Sequence, residues 1–153
     1  MTLFETLKFL HITAAVVGLG GGLLLTALMV SALFGRNGER MRAYSTVAKW
    51  AGPRIFAPAW ALVLAFGIWA TLEGGFDWGD AWIAIGIIVV AIAFVFGPTL
   101  HERHERALGV AIEEAGPTSE RTLAIGKRAL AVMVIEASLL IFAVWAMTAK
   151  PGL

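Results

Sequence analysis

Four apolar runs of about 20 residues decide what this chain can fold into, because each can cross roughly 30 Å of hydrocarbon as a helix. They are Leu7 to Leu33, Ile55 to Leu72, Ala81 to Leu100 and Ala129 to Ala149. Lipid offers backbone N–H and C=O groups no partner, so each run must satisfy its own hydrogen bonds, which a helix does. The expected architecture is an all-α, up-and-down transmembrane four-helix bundle, a single domain over residues 1–153. A short cytoplasmic helical hairpin, about 101–128, is expected between the third and fourth helices.

Composition agrees with a lipid-solvated surface. Hydrophobic residues make up 59% and charged residues 15%, well below the quarter or so typical of water-soluble domains. A net charge of +1 gives no sign of a nucleic-acid partner; membrane lipid is the expected surroundings. No cysteine is present, which excludes disulfides, thiolate metal sites, iron–sulfur clusters and covalently attached haem c.

The charges cluster between the apolar runs. Phe34 to Arg54 carries Arg36, Arg40, Arg42, Lys49 and Arg54 against one acid, Glu39, whereas Glu73 to Asp80 has three acids and no base. The third connection carries Arg103, Arg106, Arg121, Lys127 and Arg128. By the positive-inside rule the first and third connections are cytoplasmic and both termini face outward. That is the layout of a multi-pass protein of the bacterial plasma (inner) membrane. Trp69, Trp78, Trp82 and Trp145 fall at the expected outer interface and Trp50 at the inner one, with Trp60 the exception. Val30-Ser31-Ala32 resembles a signal-peptidase site, but the basic run after it opposes translocation. The third connection is the one sizeable extramembrane piece expected. His101 to Ala115 reads as a helix closed by Gly116-Pro117, with Thr118 or Ser119 capping the amphipathic stretch that leads into the fourth helix.

Few polar residues lie inside the runs, and such residues are functional candidates by default. His11 is one, and Ala15, Gly18 and Gly22 follow it at steps of four, three and four, a stripe of small side chains on one helical face. That stripe admits a second backbone or a flat ligand; a neutral imidazole bonded to a neighbouring helix is the plainer alternative. Glu136 is another, about a dozen ångströms into the fourth helix at 1.5 Å per residue. Since His11 enters from one side and Glu136 from the other, a His11–Glu136 pair, direct or through water, is sterically allowed. Otherwise Glu136 bonds a hydroxyl or a carbonyl and sets helix register. Met147 shares a face with Glu136, Leu140 and Ala143 and ends near the level of His11, a weak axial ligand should an iron sit there. His101 and His104 stand three residues apart, a spacing that can chelate a metal on a helix. Alternating charge just outside a membrane is more often a solvated helix end.

Leu7-Lys8-Phe9-Leu10-His11-Ile12, with the glycine-rich span after it, resembles the first helix of a superfamily of small bacterial membrane proteins. That superfamily includes the copper-resistance protein D type and the HemJ-type protoporphyrinogen oxidases. Arg54 to Pro58, Gly79 to Trp82, Glu113 to Pro117 and Lys150 to Leu153 resemble an uncharacterised, domain-of-unknown-function branch of it. The resemblance to the oxidases implies a b-type haem held through His11 and a porphyrinogen substrate. Their lysine shortly after a helix-three tryptophan is missing here, where the sequence reads Trp82-Ile-Ala-Ile-Gly86. Oxidase activity is therefore not expected, while haem or porphyrin binding stays open, with His11, Gly18, Gly22, Glu136 and Met147 as its candidate residues. Two other classes of function stand beside it: a non-catalytic subunit or scaffold, forming homo-oligomers or binding a membrane partner protein through its glycine stripe, and a small transporter or metal-handling protein.

Overall fold

The computed structural model describes residues 1–151, apart from the side chain of Pro98; Gly152 and Leu153, which end the Lys150 to Leu153 motif, lie outside the described residues. Six α-helices follow one another: α1 (Leu3–Phe34), α2 (Gly38–Ala51), α3 (Ala57–Glu73), α4 (Ala81–Phe96), α5 (Glu102–Ala115) and α6 (Glu120–Ala149). A π-helical turn, Gly52–Phe56, joins α2 to α3, and a second, Gly97–His101, joins α4 to α5. The result is four continuous rods of 32, 36, 35 and 30 residues, each apolar enough to cross a membrane. Only 22–29% of the most apolar window in each rod is buried by protein, which leaves the remainder to lipid. The chain is an all-α four-helix membrane bundle.

At 1.5 Å per residue the rods measure about 45–54 Å, some 15–24 Å more than the hydrocarbon core. The surplus projects at one end because the other end is levelled. There the rings of Phe4 and Phe76 lie 5.9 Å apart and those of Phe76 and Trp82 5.2 Å apart. The Lys150 ammonium sits 4.5 Å and 5.0 Å over Phe76 and Trp82, closing α6 against the α3–α4 connection. At the projecting, basic end, residues Phe34 to Arg54 are not a mere connector but mostly helix. Asn37 caps α2 by accepting from the Arg40 N–H at 3.0 Å, and Met41, Tyr44, Ser45, Ala48 and Ala51 form its buried stripe. Interspersed basic residues conceal that stripe from a reading based on charge clusters. Met29, Leu33, Met41, Tyr44, Leu108, Ile112, Leu123 and Met133 unite α1, α2, α5 and α6 in one buried cluster toward this end.

Within the bundle α1 packs along α3 and also touches α6, while α4 lies against α6 and, more lightly, α3. Lipid tails are as apolar as leucine, so close packing rather than burial from water must hold these rods together. Glycines permit it. A Cβ at Gly18 would stand 2.9 Å from the Trp60 ring, one at Gly21 2.6 Å from Phe56, and one at Gly126 2.9 Å from Leu33. Ser119 caps α6, accepting from the Thr122 N–H at 3.2 Å. Trp50, Trp69, Trp78 and Trp145 are exposed at the helix ends, whereas Trp82, expected at an interface, is 7% exposed. It turns inward from the first turn of α4 and packs on Phe76, Ile83 and Ala146.

Gly126→Val forces two methyl groups against Leu33 and Met29 and is expected to cost about 1–3 kcal/mol of stability by overpacking. Gly20→Ala, where a Cβ meets nothing within 4 Å, is expected not to lower it. Thermal unfolding of the two variants in detergent measures the difference.

Candidate functional site

Both π turns begin with a Gly-Pro step, at Gly52-Pro53 and Gly97-Pro98. Proline has no N–H to give the preceding turn and clashes with the carbonyl four residues back, and the helix accommodates it by taking an extra residue into one turn. The Ala57 N–H accordingly reaches back to the Gly52 carbonyl, and the Glu102 N–H to that of Gly97. One extra residue turns every later side chain by about 100° relative to a straight helix. The two disturbed turns line a common cavity of about 720 Å³, inside the usual size range of small-molecule sites.

The cavity has an apolar part and a polar end. Gly22, Phe56, Trp60, Phe94 and Leu140 are among the residues of the apolar part, and Gly18 lies at its edge beneath the Trp60 indole. A Cβ on Gly22 would meet nothing within 4 Å, so this glycine faces open space. Tyr44, Lys49, His101, Glu105 and Glu136 contribute to the polar end, which extends to the exposed Glu102–Arg106 pair, 2.5 Å apart.

His101 and Glu136 are the central polar contact, with Nε2 to Oε2 at 2.5 Å. Their side chains are 23% and 16% exposed, so the pair is shielded but not sealed. The last residue of the π turn therefore directs its ring at α6 instead of standing on a solvated helix end. Glu105 lies within electrostatic reach of His101 and Lys49. The Tyr44 hydroxyl donates to the Met133 sulfur at 3.5 Å.

The structure distributes the sequence candidates among different places. Gly18, Gly22, His101 and Glu136 share the cavity; His11 and Met147 are not part of its lining. The His11–Glu136 pair is replaced by His101–Glu136. His11 lies between α1 and α3 with Nδ1 2.8 Å from the Val63 carbonyl, its ring against Gly67, where a Cβ would stand 3.0 Å from it. An Nδ1–H donating to Val63 makes His11 a tie between two helices. Met147 packs on Gly86 of α4. His104 does not join His101 in a chelate: its Nδ1 is 2.7 Å from the Leu100 carbonyl, one turn back. Among the described residues no group of three or more His, Asp or Glu side chains is arranged to hold a metal ion.

Lys49, Phe56, Trp60 and Glu105 are cavity residues that sequence reasoning missed. For Trp60 a signal existed, since it alone among the tryptophans fell at neither interface; an indole at mid-span is there for packing or for a site.

Glu136→Ala leaves the His101 imidazole without its partner and is expected to cost about 1–3 kcal/mol. The double variant His101→Leu/Glu136→Leu is expected to recover part of that loss, because a shielded pair replaced by apolar groups of similar size is often near neutral. His11→Phe, which removes one interhelical bond, is expected to cost no more than about 2 kcal/mol. Thermal unfolding of the set in one detergent gives all three values.

No curated protein and no solved structure matches the chain at a significant level. Residues 5–151 match a family described as a predicted integral membrane protein, DUF2269. With four membrane-length helices in the fold and a match over nearly the whole chain, the protein belongs to the DUF2269 family of integral membrane proteins.

Proposed function

We propose that this protein binds a membrane-dissolved amphiphile, an apolar tail bearing a flat, uncharged head that exchanges hydrogen bonds, as a prenyl quinone does. The observation that carries the reading is the cavity's division: apolar wall within the span and a His101–Glu136 pair at its polar end. Charge selects the head. Lys49 and Arg106 face Glu102, Glu105 and Glu136, two positive against three negative charges before His101 is counted. A strongly anionic head gains nothing from that set, whereas a carbonyl can accept from Lys49 and a hydroxyl can accept from Lys49 or donate to Glu136. The imidazole can take up or release one proton while the carboxylate fixes its orientation. Phe56 and Trp60 offer rings on which a planar head can lie.

Haem held through His11 fits these residues poorly. The His11 ring is engaged by Val63 and Gly67 and does not line the cavity. Inside the cavity His101 has committed Nε2 to Glu136, and the propionates of a porphyrin would meet Glu102, Glu105 and Glu136. The resemblance to copper-resistance protein D and HemJ-type oxidases, drawn from the Leu7 to Ile12 motif, accordingly contributes no residue to the reading. With the basic end in the cytoplasm, as the charge asymmetry implies, the ligand would enter from the inner leaflet.

Binding of a short-tailed benzoquinone to the detergent-purified protein, followed by quenching of tryptophan emission, tests the proposal. Saturable quenching is expected in the wild type. A Cβ at Gly22 meets nothing within 4 Å, so Gly22→Leu is expected to put its side chain into the open space and to weaken binding by roughly tenfold or more, with Gly22→Ala, which adds the Cβ alone, leaving the unfolding temperature unchanged. Equal binding by Gly22→Leu, or a Soret band in the purified wild type, would overturn it.

A further inference from the structure

A second, shallower groove of about 470 Å³ lies between α5 and α6 at the basic end. We infer that this groove is a specific site for the headgroup of an anionic phospholipid. Three arginines converge on it, Arg103 and Arg106 from α5 and Arg121 from α6, against one carboxylate, Glu102. Arg106 is bound to Glu102 at 2.5 Å and Arg121 to Glu114 at 2.7 Å. Arg103 has no carboxylate partner among the described residues, so at least one full positive charge of the groove is uncompensated by protein.

The floor between the arginines is apolar. Arg103, Ala107 and Val110 follow at steps of four and three on one face of α5, and Ile125 stands one turn beyond Arg121 on α6. Val110 is 41% exposed. Guanidinium engages phosphate oxygens in pairs, and Arg103 and Arg106 stand at the end of the groove nearer the apolar span, so they suit a lipid phosphate whose acyl chains run back along α4. Position agrees: α5 continues the rod of α4, so the groove begins where that rod's apolar stretch ends, at the depth of a headgroup. The excess of positive charge separates this groove from the nearly balanced cavity, although Glu102 and Arg106 stand between the two and line both. A phosphate in the groove would compete with Glu102 for Arg106, at the polar edge of the cavity.

The full-length protein in nanodiscs of mixed phosphatidylglycerol and phosphatidylcholine provides the test, with retained lipids counted by native mass spectrometry after release. Wild type is expected to retain phosphatidylglycerol over phosphatidylcholine, and Arg103→Gln/Arg121→Gln to lose the preference, at roughly fivefold per arginine. Arg36→Gln, which removes an exposed arginine at the same end but outside the groove, is expected to retain it. Absence of a preference overturns the inference, as does a preference equally lowered by Arg36→Gln, which marks a diffuse basic surface. Displacement by millimolar inorganic phosphate at unchanged lipid preference also overturns it, since the groove then serves a free anion. Should the double variant fail to fold, the single Arg103→Gln variant takes its place against the same outcomes.

Discussion

The rods are longer than the bilayer is thick, and most of the architecture follows from that mismatch. Helices of 30–36 residues cannot hide inside about 30 Å of hydrocarbon. With one end levelled by the Phe4, Phe76, Trp82 and Lys150 contacts, the whole surplus appears at the other. There water is present, and the hydrophobic effect, absent between helices in lipid, operates again. The cluster around Met29, Met41, Leu108 and Leu123 lies toward this end and reaches into it from the apolar spans. One bundle is thus held by two kinds of force: glycine-mediated close contact through the apolar part and burial from water beyond it.

The two π turns connect these regimes. A Gly-Pro step in each of two adjacent rods widens the helix where the apolar run gives way to the charged one, and the cavity occupies the space between them. Its division into an apolar and a polar part reflects its place at that boundary. Nothing about it requires a loop; the polar side chains are delivered by helix turns, with the rigidity that implies.

How far the sequence could be read depended on whether a property is additive along the chain. Hydropathy is, so the four spans and the helical hairpin after the third were legible, as was the Gly116 stop. Helix α2 was partly hidden because its apolar stripe, Met41, Tyr44 and Ala48, is threaded with Arg40, Arg42 and Lys49. Side-chain direction past Gly97-Pro98 was not legible, because a face extrapolated at 3.6 residues per turn is wrong by about 100° after a π turn. His101 therefore read as a solvated residue when it is the partner of Glu136. His11, the most conspicuous polar residue in the spans, proved to be tied to a backbone carbonyl. The cost of a polar group in hydrocarbon identifies it as constrained, but the source of the constraint is a matter of tertiary neighbours.

Helix α6 supplies side chains to three of the four buried clusters: Leu123, Ala129 and Met133 to one, Leu140 and Ala143 to the second, and Ala146 to the third. The fourth, of Ala14, Val63 and Val90, is complete without it. A ribosome makes α6 after the five helices before it. Before then the first three rods can form the α1–α3 seam and the contacts of α2 with α1 and α5, while α4 lacks its main partner and His101 lacks the Glu136 carboxylate. Only the arrival of α6 closes the protein-lined cavity and joins the two ends of the bundle into one cooperative unit, so a chain cut short before Glu120 would leave α4 without its main partner and open to the quality control of its membrane.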